Sequence, residues 1–174
     1  KTILGLNIPT SGEVIFDGVN LAGLKRDALR NYRFEIGYVQ QDPYGALPPF
    51  MTVQNILEEP LIISGMKNKA ERLERVRKAM ETVGLPFEAF VDRRTFTLSG
   101  GEMRRAALAG VLALEPEILV LDEATAGLDQ AGRRQVHDLL RRLRRDQDVS
   151  VLLVSNVLIS AIRAVNNGGI FLFP

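Results

Sequence analysis

The chain contains no cysteine, and this absence limits its chemistry before any motif is considered. Without cysteine there are no disulfides and no thiolate ligands for a metal, which is compatible with a reducing compartment. Histidine is nearly absent as well, since His137 is the only one, and we expect it to be an ordinary surface residue of a helix. No apolar run approaches the roughly 20 residues of a membrane-spanning helix, so any work at a membrane would be that of a peripheral subunit.

An excess of charge of one sign is also lacking. The 22 Lys and Arg residues against 21 Asp and Glu residues give a net charge of +1, which argues against a generic binder of polyanions. Arginines are dense between residues 133 and 145, but Val136, Leu139, Leu140 and Leu143 recur there at helical spacing. The arginines are then most simply the solvated side of an amphipathic helix, and nucleic acid is not an expected partner.

The phosphate loop pattern G-x-x-x-x-G-K-[ST] is absent too, but residues 98–102 (LSGGE) form a helix start suited to an anion. Ser99 and Glu102 have the spacing of a capping box, before a run of good helix formers. Gly100 and Gly101 would let a phosphate approach bare backbone N–H groups, where the helix dipole adds positive potential. The simpler alternative is that these residues only cap the helix and turn the chain.

A second informative stretch is ILVLDE at residues 118–123. Four consecutive large aliphatic residues without alternation predict a strand buried on both faces, which is typical of a parallel sheet. Ligands of such sheets bind beyond the carboxyl ends of the strands, where Asp122 and Glu123 stand. One carboxylate there can hold Mg²⁺ while its neighbour orients or deprotonates an attacking water. Alternatively, the strand simply runs out into a polar loop.

Together with three further stretches, these residues resemble the motifs of ATP-binding cassette (ABC) ATPases. In family order they correspond to the segment after the first helix, the Q-loop with its strand, the signature motif, Walker B and the D-loop, at residues 9–14, 36–43, 98–102, 118–123 and 126–129. The motifs cover nearly the whole chain, which is therefore identified as a member of this family. The resemblance implies ATP and Mg²⁺ as cofactors, and a second ABC ATPase subunit, identical or different, as the partner in a head-to-tail dimer.

The resemblance also implies which residues form the site. Glu123 would be the catalytic carboxylate, and Asp122 and Gln41 would hold the metal. Nucleotide contacts would come from the Q-loop, the signature motif and the D-loop, through Gln41, Ser99, Gly100, Gly101, Glu102 and Asp129. Where the family has a histidine that contacts the γ-phosphate, this chain has Asn156. The expected catalytic residues are therefore Glu123 and Asn156. An amide can donate a hydrogen bond but cannot carry a proton, so turnover is expected to be impaired or differently tuned.

The expected fold class is α/β, with the mostly parallel sheet of a P-loop NTPase and an inserted α-helical subdomain. The whole of residues 1–174 would form a single ABC ATPase domain. Within it, residues 1–42 and 115–174 would be the α/β core, and residues 43–114 the helical subdomain with the signature motif. The length of the chain agrees with one such domain.

Local patterns predict the elements of this domain. Strands are predicted at residues 12–18, 35–41 and 149–155, in addition to the one before Asp122. Apolar residues at helical spacing predict one helix beginning near Val53 and a second, charged helix ending near residue 84.

The chain is expected to be truncated at its N-terminus. Residues 1–6 resemble the end of the helix that follows the family's phosphate loop, so an upstream segment carrying that loop is the simplest explanation. A fold that has truly lost the loop is the alternative, and the chain would then be a non-catalytic subunit.

Two segments indicate an importer. Residues 43–53 resemble the part of peptide and nickel importer ATPases that receives a helix of the membrane subunit, whereas residues 101–113 are closer to the energy-coupling-factor importers of vitamins and metal ions. The resemblance implies an ATP-hydrolysing subunit on the cytoplasmic face of the cell membrane, coupled to membrane-spanning subunits. The transported substrate stays open, and so does a soluble ABC ATPase acting on nucleic acid or on protein assemblies.

Overall fold

The computed structural model describes residues 2–40, 47–123, 129–147 and 149–154. Its strands are β1 (Ile15–Phe16), β2 (Val19–Asn20), β3 (Ile36–Val39), β4 (Ile118–Asp122) and β5 (Ser150–Val154). Its α-helices are α1 (Arg26–Glu35), α2 (Val53–Ile63), α3 (Lys69–Thr82), α4 (Phe87–Phe90), α5 (Gly100–Leu112) and α6 (Gln130–Gln147). The predicted α/β fold class is confirmed. None of the helices in these ranges is long and apolar enough to cross a membrane.

A parallel sheet in the order β3-β4-β5 forms the centre of the described chain. At the amino ends of the strands, Ile36 of β3 pairs with Ile118 of β4. Near the carboxyl ends, Leu121 of β4 pairs with Leu153 of β5. The strands predicted before Asp122 and at residues 35–41 and 149–155 are therefore confirmed within the described residues. All three strands end at the same edge of the sheet, which places the end of β4 between its two neighbours.

Strand β4 contributes side chains to two hydrophobic clusters, one on each face of the sheet. Leu119 and Leu121 belong to a large cluster that includes residues of α2, α3, α5 and α6. Val120 belongs to a smaller cluster with Tyr32 of α1 and Leu152 of β5. Because successive side chains of a strand point to opposite faces, both faces require apolar residues, and this explains the unbroken aliphatic run.

The strand predicted at residues 12–18 is shorter than expected. Only Ile15–Phe16 is strand, and it pairs antiparallel with Val19–Asn20 in a two-residue hairpin. The turn residues Asp17 and Gly18 have φ of 47° and 74°, as a type I′ turn requires. An Asp-Gly pair favours this turn over an extended strand. The strand predicted to continue through residue 18 was therefore wrong, because Asp17 and Gly18 form the turn instead.

The segment before the hairpin forms a turn. Within residues 2–6, the N–H of Gly5 donates to the carbonyl of Thr2 at 2.9 Å, and Gly5 has a φ of 61°. Arg33 of α1 holds this turn by donating to the carbonyls of Leu4 and Gly5 at 3.2 and 2.8 Å. The Arg33 side chain therefore holds the turn on α1 by hydrogen bonds to backbone carbonyls. That residues 1–6 end a helix stays a prediction.

Helices α2, α3, α4 and α5 lie between β3 and β4 in the chain and confirm the predicted apolar faces. Val53 and Leu57 of α2, and Val76 and Met80 of α3, are fully buried. Each of these two helices has a side-chain cap, since Thr52 accepts from the N–H of Asn55 and Asn68 accepts from Ala70 and Glu71. Burial of the apolar stripe and satisfaction of the first-turn N–H groups together account for both helices.

Helix α5 approaches strand β3 closely at Gly37. A Cβ atom on Gly37 would overlap Cγ1 of Val111 and lie 3.0 Å from Cγ of Pro116 and 3.2 Å from Cδ1 of Leu119. Only glycine allows the helix to pack at this distance. The contact joins the helix that begins at Gly100 to the strand that leads into residues 40–41.

We predict that Gly37→Ala destabilises the fold by about 1–3 kcal/mol, because the new methyl group must displace Val111 or the strand. Gly110→Ala is the control, on helix α5 beside Val111, the residue that Gly37 contacts. A Cβ on Gly110 would be 3.9 Å from Cγ of Leu57, an ordinary contact, so alanine should stabilise α5 by about 0.5–1 kcal/mol. Urea unfolding measures both values, and equal effects of the two substitutions would contradict the close packing at Gly37.

Candidate functional site

The end of strand β4 places two carboxylates at the edge of the sheet. Asp122 is the last residue of the strand, and Glu123 follows it with a φ of 48°. The N–H of Glu123 donates to the carbonyl of Val154 at 2.9 Å, so the strand ladder continues for one residue beyond β4. Both carboxylates are partly buried. This is the position at which ligands of parallel sheets bind.

The carboxylate of Asp122 accepts a hydrogen bond from a neighbouring strand. The phenol of Tyr38, on β3, donates to Oδ2 of Asp122 at 3.0 Å. Burial raises the pKa of Tyr38, and the hydrogen bond to Asp122 and the negative charge of that residue act in the same direction. The phenol therefore stays protonated at neutral pH and is the donor in this pair.

These carboxylates fit Mg²⁺ as part of a ligand set. The described residues contain no group of three or more His, Asp and Glu side chains that could hold a metal by themselves. Mg²⁺ does not need such a group, because it usually keeps several waters and binds one or two carboxylates together with substrate phosphates. Asp122, with one oxygen hydrogen-bonded to Tyr38, has the chemistry of such a ligand.

The first turn of α5 forms the second half of the candidate site. The predicted capping box is confirmed, since Oγ of Ser99 accepts from the N–H of Glu102 at 3.4 Å and the N–H of Ser99 donates to Oε2 of Glu102 at 2.7 Å. Ser99 and Gly101 are exposed and Gly100 is half-buried. A Cβ on Gly101 would have only Nη1 of Arg105 near it, at 4.0 Å. The turn is thus open to an approaching anion.

The side chain of Arg93 supports this turn, and no sequence pattern pointed to that role. Its guanidinium donates to the carbonyl of Thr97, lies 3.7 Å from Oε1 of Glu102 and stacks 4.8 Å from the ring centre of Phe90. Hydrogen bonds from Ser99 lower the pKa of Glu102, and the positive charges of Arg93 and Arg105 act in the same direction. Glu102 is therefore ionised at neutral pH and committed to the cap.

Asp129 has a structural role at the start of α6. Its Oδ1 accepts from the N–H of Gly132 at 2.7 Å, and its carbonyl accepts from the N–H of Arg133 at 3.0 Å. The D-loop aspartate therefore caps the helix that follows it. Its predicted contact with nucleotide stays a prediction, and within the described residues no hydrogen bond or ion pair joins Asp129 or the α5 turn to Asp122.

Several predicted residues fall outside the part of the chain that the structure describes. Gln41 and Asn156 are among them, and so are residues 126–128 of the D-loop. His137 is described, and it lies half-buried on α6. Burial lowers the pKa of His137. The positive charges of Arg141 and Arg133 act in the same direction, and the negative charge of Asp138 opposes them. His137 is therefore neutral at pH 7.

Comparison with known proteins gives a consistent family. The ABC transporter family profile matches residues 1–126. A putative peptide import ATP-binding protein of Brucella ovis is 40% identical over 158 residues, which are 91% of this chain and 50% of that protein. The energy-coupling factor transporter ATP-binding protein EcfA2 of Clostridium perfringens is 40% identical over 156 residues, 87% of this chain and 52% of that protein. The chain spans about half the length of the curated relatives it matches.

Solved structures of this family have the same fold. The cbiO1 subunit from Clostridium perfringens, part of an ABC transporter complex, superposes with a TM-score of 0.75 at 31% identity, covering 87% of this chain and 59% of that one. A dimeric ATP-binding cassette in a post-hydrolysis state, bound to ADP and Pi, also gives 0.75 at 32% identity, covering 89% and 67%.

We predict that Glu102→Gln makes the free energy of unfolding less sensitive to acid. The pKa of Glu102 is lower in the folded chain than its usual value of 4.5, so its stabilisation is present above that value and is lost as the pH falls through the folded pKa. Urea unfolding at pH 6 and pH 4 measures this loss. Glu74→Gln on α3 is the control, because Glu74 is exposed and its side chain forms no hydrogen bond or ion pair within the described residues. An equal acid response of Glu102→Gln and the parent would contradict the role of this carboxylate in the cap.

Proposed function

Because the chain belongs to the ABC transporter family, we propose that it is the ATP-binding and ATP-hydrolysing subunit of an importer, coupling hydrolysis to transport across a membrane. The observation that supports the ATPase part most directly is the carboxylate pair at the end of β4, between two parallel neighbours. The importer part rests on the relatives, which are named for peptide import and for energy-coupling factor transport. No observation on the described residues favours nucleic acid as a substrate, and Arg141 and Arg145 of α6 are paired with Asp138 and Asp146.

In this proposal the two carboxylates have different tasks. Asp122 would hold Mg²⁺, directly or through water, together with Gln41, and the metal would supply positive charge against the phosphates. Glu123 orients the attacking water and accepts its proton. In sequence, Asn156 replaces the family's histidine; its amide could donate only a neutral hydrogen bond and would stabilise developing charge less than an imidazolium.

The signature motif would act on the nucleotide of a second subunit. Ser99 and Gly101 are exposed at the first turn of α5, and the capping box leaves the remaining N–H groups of that turn open to a phosphate. A head-to-tail dimer would place this turn opposite the β4 edge of the partner. Dimeric cassettes among the solved structures are consistent with such a pair.

An aromatic patch supports contact with a membrane-spanning subunit. The rings of Phe50 and Phe96 are 6.2 Å apart, and these residues are 74% and 59% exposed. Arg94 fixes the patch by donating to the carbonyl of Phe50 at 2.7 Å, and Thr95 donates to the carbonyl of Pro48. The patch joins the segment that resembles the docking region of importer ATPases to the segment before the signature motif. We assign it to the membrane subunit at the inner face of the cell membrane.

The helices between the two core segments would transmit the movement. We propose that residues 43–114 form the helical subdomain and that residues 1–42 and 115–174 form the core that binds nucleotide. Closure of a dimer on ATP would draw the two helical subdomains together and move the attached membrane subunits. The close contact of α5 with β3 at Gly37 supplies a rigid connection between the two parts.

The decisive experiment compares two glutamates at the opposite ends of β4, in a form of the chain preceded by a phosphate loop. Glu123→Gln should lower the rate of ATP hydrolysis by roughly 100-fold or more, because the amide cannot accept the proton of the water. ATP binding should be retained. Glu117→Gln is the control, since Glu117 is exposed and precedes β4 at its amino end. Steady-state hydrolysis by Glu123→Gln at the rate of the control would contradict the proposed function.

A further inference from the structure

We propose that Tyr38 is a positioning residue for Asp122, holding one carboxylate oxygen so that the other is presented to the metal. The inference rests on the proposed function, in which Asp122 is a ligand of Mg²⁺. It adds Tyr38, which the sequence analysis assigned to no nucleotide or metal contact, and gives it a task at the same site.

The position of the Tyr38 ring is determined by the sheet. Tyr38 pairs with Val120 in the parallel register, and Asp122 lies two residues further along the same face of β4. The ring packs against the smaller hydrophobic cluster, together with Val120 and Leu152. Packing therefore limits the movement of the ring, and its hydroxyl reaches Oδ2 of Asp122 at 3.0 Å.

A hydrogen bond from a fixed donor restricts the carboxylate that accepts it. Asp122 stands at a strand end, where its side chain would otherwise sample several rotamers. Tyr38 selects the rotamer in which Oδ2 faces β3, and the other oxygen is then turned away from that donor. Outer partners of this kind commonly fix the orientation of metal ligands in proteins. The task of Tyr38 is thus performed before any metal binds.

The alternative is that the pair only ties β3 to β4. The ladder between these strands already has four residue pairs, from Ile36 with Ile118 to Val39 with Leu121, so the strands do not depend on this side-chain contact. Tyr32 offers a matched control, because its hydroxyl donates to the carbonyl of Ile3 and its ring lies in the same cluster. Removal of either hydroxyl should have a similar effect on folding, and only one should affect Asp122.

The first measurement needs no metal. Three-bond couplings from Cγ of Asp122 to its backbone N and carbonyl carbon report the χ1 distribution by NMR. We expect a single rotamer in the parent chain and in Tyr32→Phe, and averaged couplings in Tyr38→Phe. Couplings of a single rotamer in Tyr38→Phe would overturn the inference.

The second measurement uses Mn²⁺ alone as the probe, through paramagnetic broadening of the Asp122 signals. Tyr38→Phe should weaken the apparent Mn²⁺ affinity by roughly tenfold, as loss of an outer partner of a ligand does, and Tyr32→Phe should leave it unchanged. Asp122→Asn distinguishes the role of Tyr38 from the role of Asp122 as a metal ligand. If Asp122→Asn abolishes broadening at this edge while Tyr38→Phe binds like the parent, the inference on Tyr38 alone is wrong. If the edge shows no broadening that depends on Asp122, then Asp122 binds no metal in the absence of nucleotide, and the χ1 couplings of Tyr38→Phe decide the inference on Tyr38.

Discussion

The burial of β4 on both faces is the constraint on which the rest of the structure depends. Leu119 and Leu121 pack against the helices on one side, and Val120 packs against α1 and β5 on the other. A strand in this position can be solvated only at its ends, so polar residues that follow it are confined to the edge of the sheet. The carboxylates of Asp122 and Glu123 are held there by the same packing that excludes water from the strand.

The two halves of the candidate site are connected through this sheet. Helix α5 begins with the open turn at Ser99 and packs on β3 at Gly37, and β3 carries the tyrosine that contacts Asp122. A shift of α5 against β3 would therefore be resisted by a well-packed contact and transmitted to neighbouring elements. This arrangement suits a subunit in which binding of nucleotide at the edge of the sheet must move a group of helices, as proposed for residues 43–114.

Sequence patterns predicted the strands and helix starts that neighbouring residues determine. They did not predict the side-chain contacts that depend on strand register or on packing. The aliphatic run before Asp122 and the capping spacing of Ser99 and Glu102 were sufficient to predict a strand and a helix start. The Asp17–Gly18 turn was also within reach of the sequence, because its signal is two residues long. The contact of Tyr38 with Asp122 was not, since it joins residues 84 positions apart and depends on the pairing of β3 with β4. The support that Arg93 gives to Glu102 likewise requires the three-dimensional position of both side chains.

The central proposal is that each ATP site is shared between two chains, with the β4 edge of one subunit facing the α5 turn of the other. Complementation tests it directly, in forms of the chain that carry a phosphate loop. Gly101→Asp places a negative charge where phosphate would bind, in a position with room for a side chain, and Glu123→Gln removes the proton acceptor. Each variant alone should be inactive, and an equal mixture should recover about a quarter of the parent rate, because half of the dimers are mixed and each has one intact site of two. A mixture as inactive as its components would contradict the shared site.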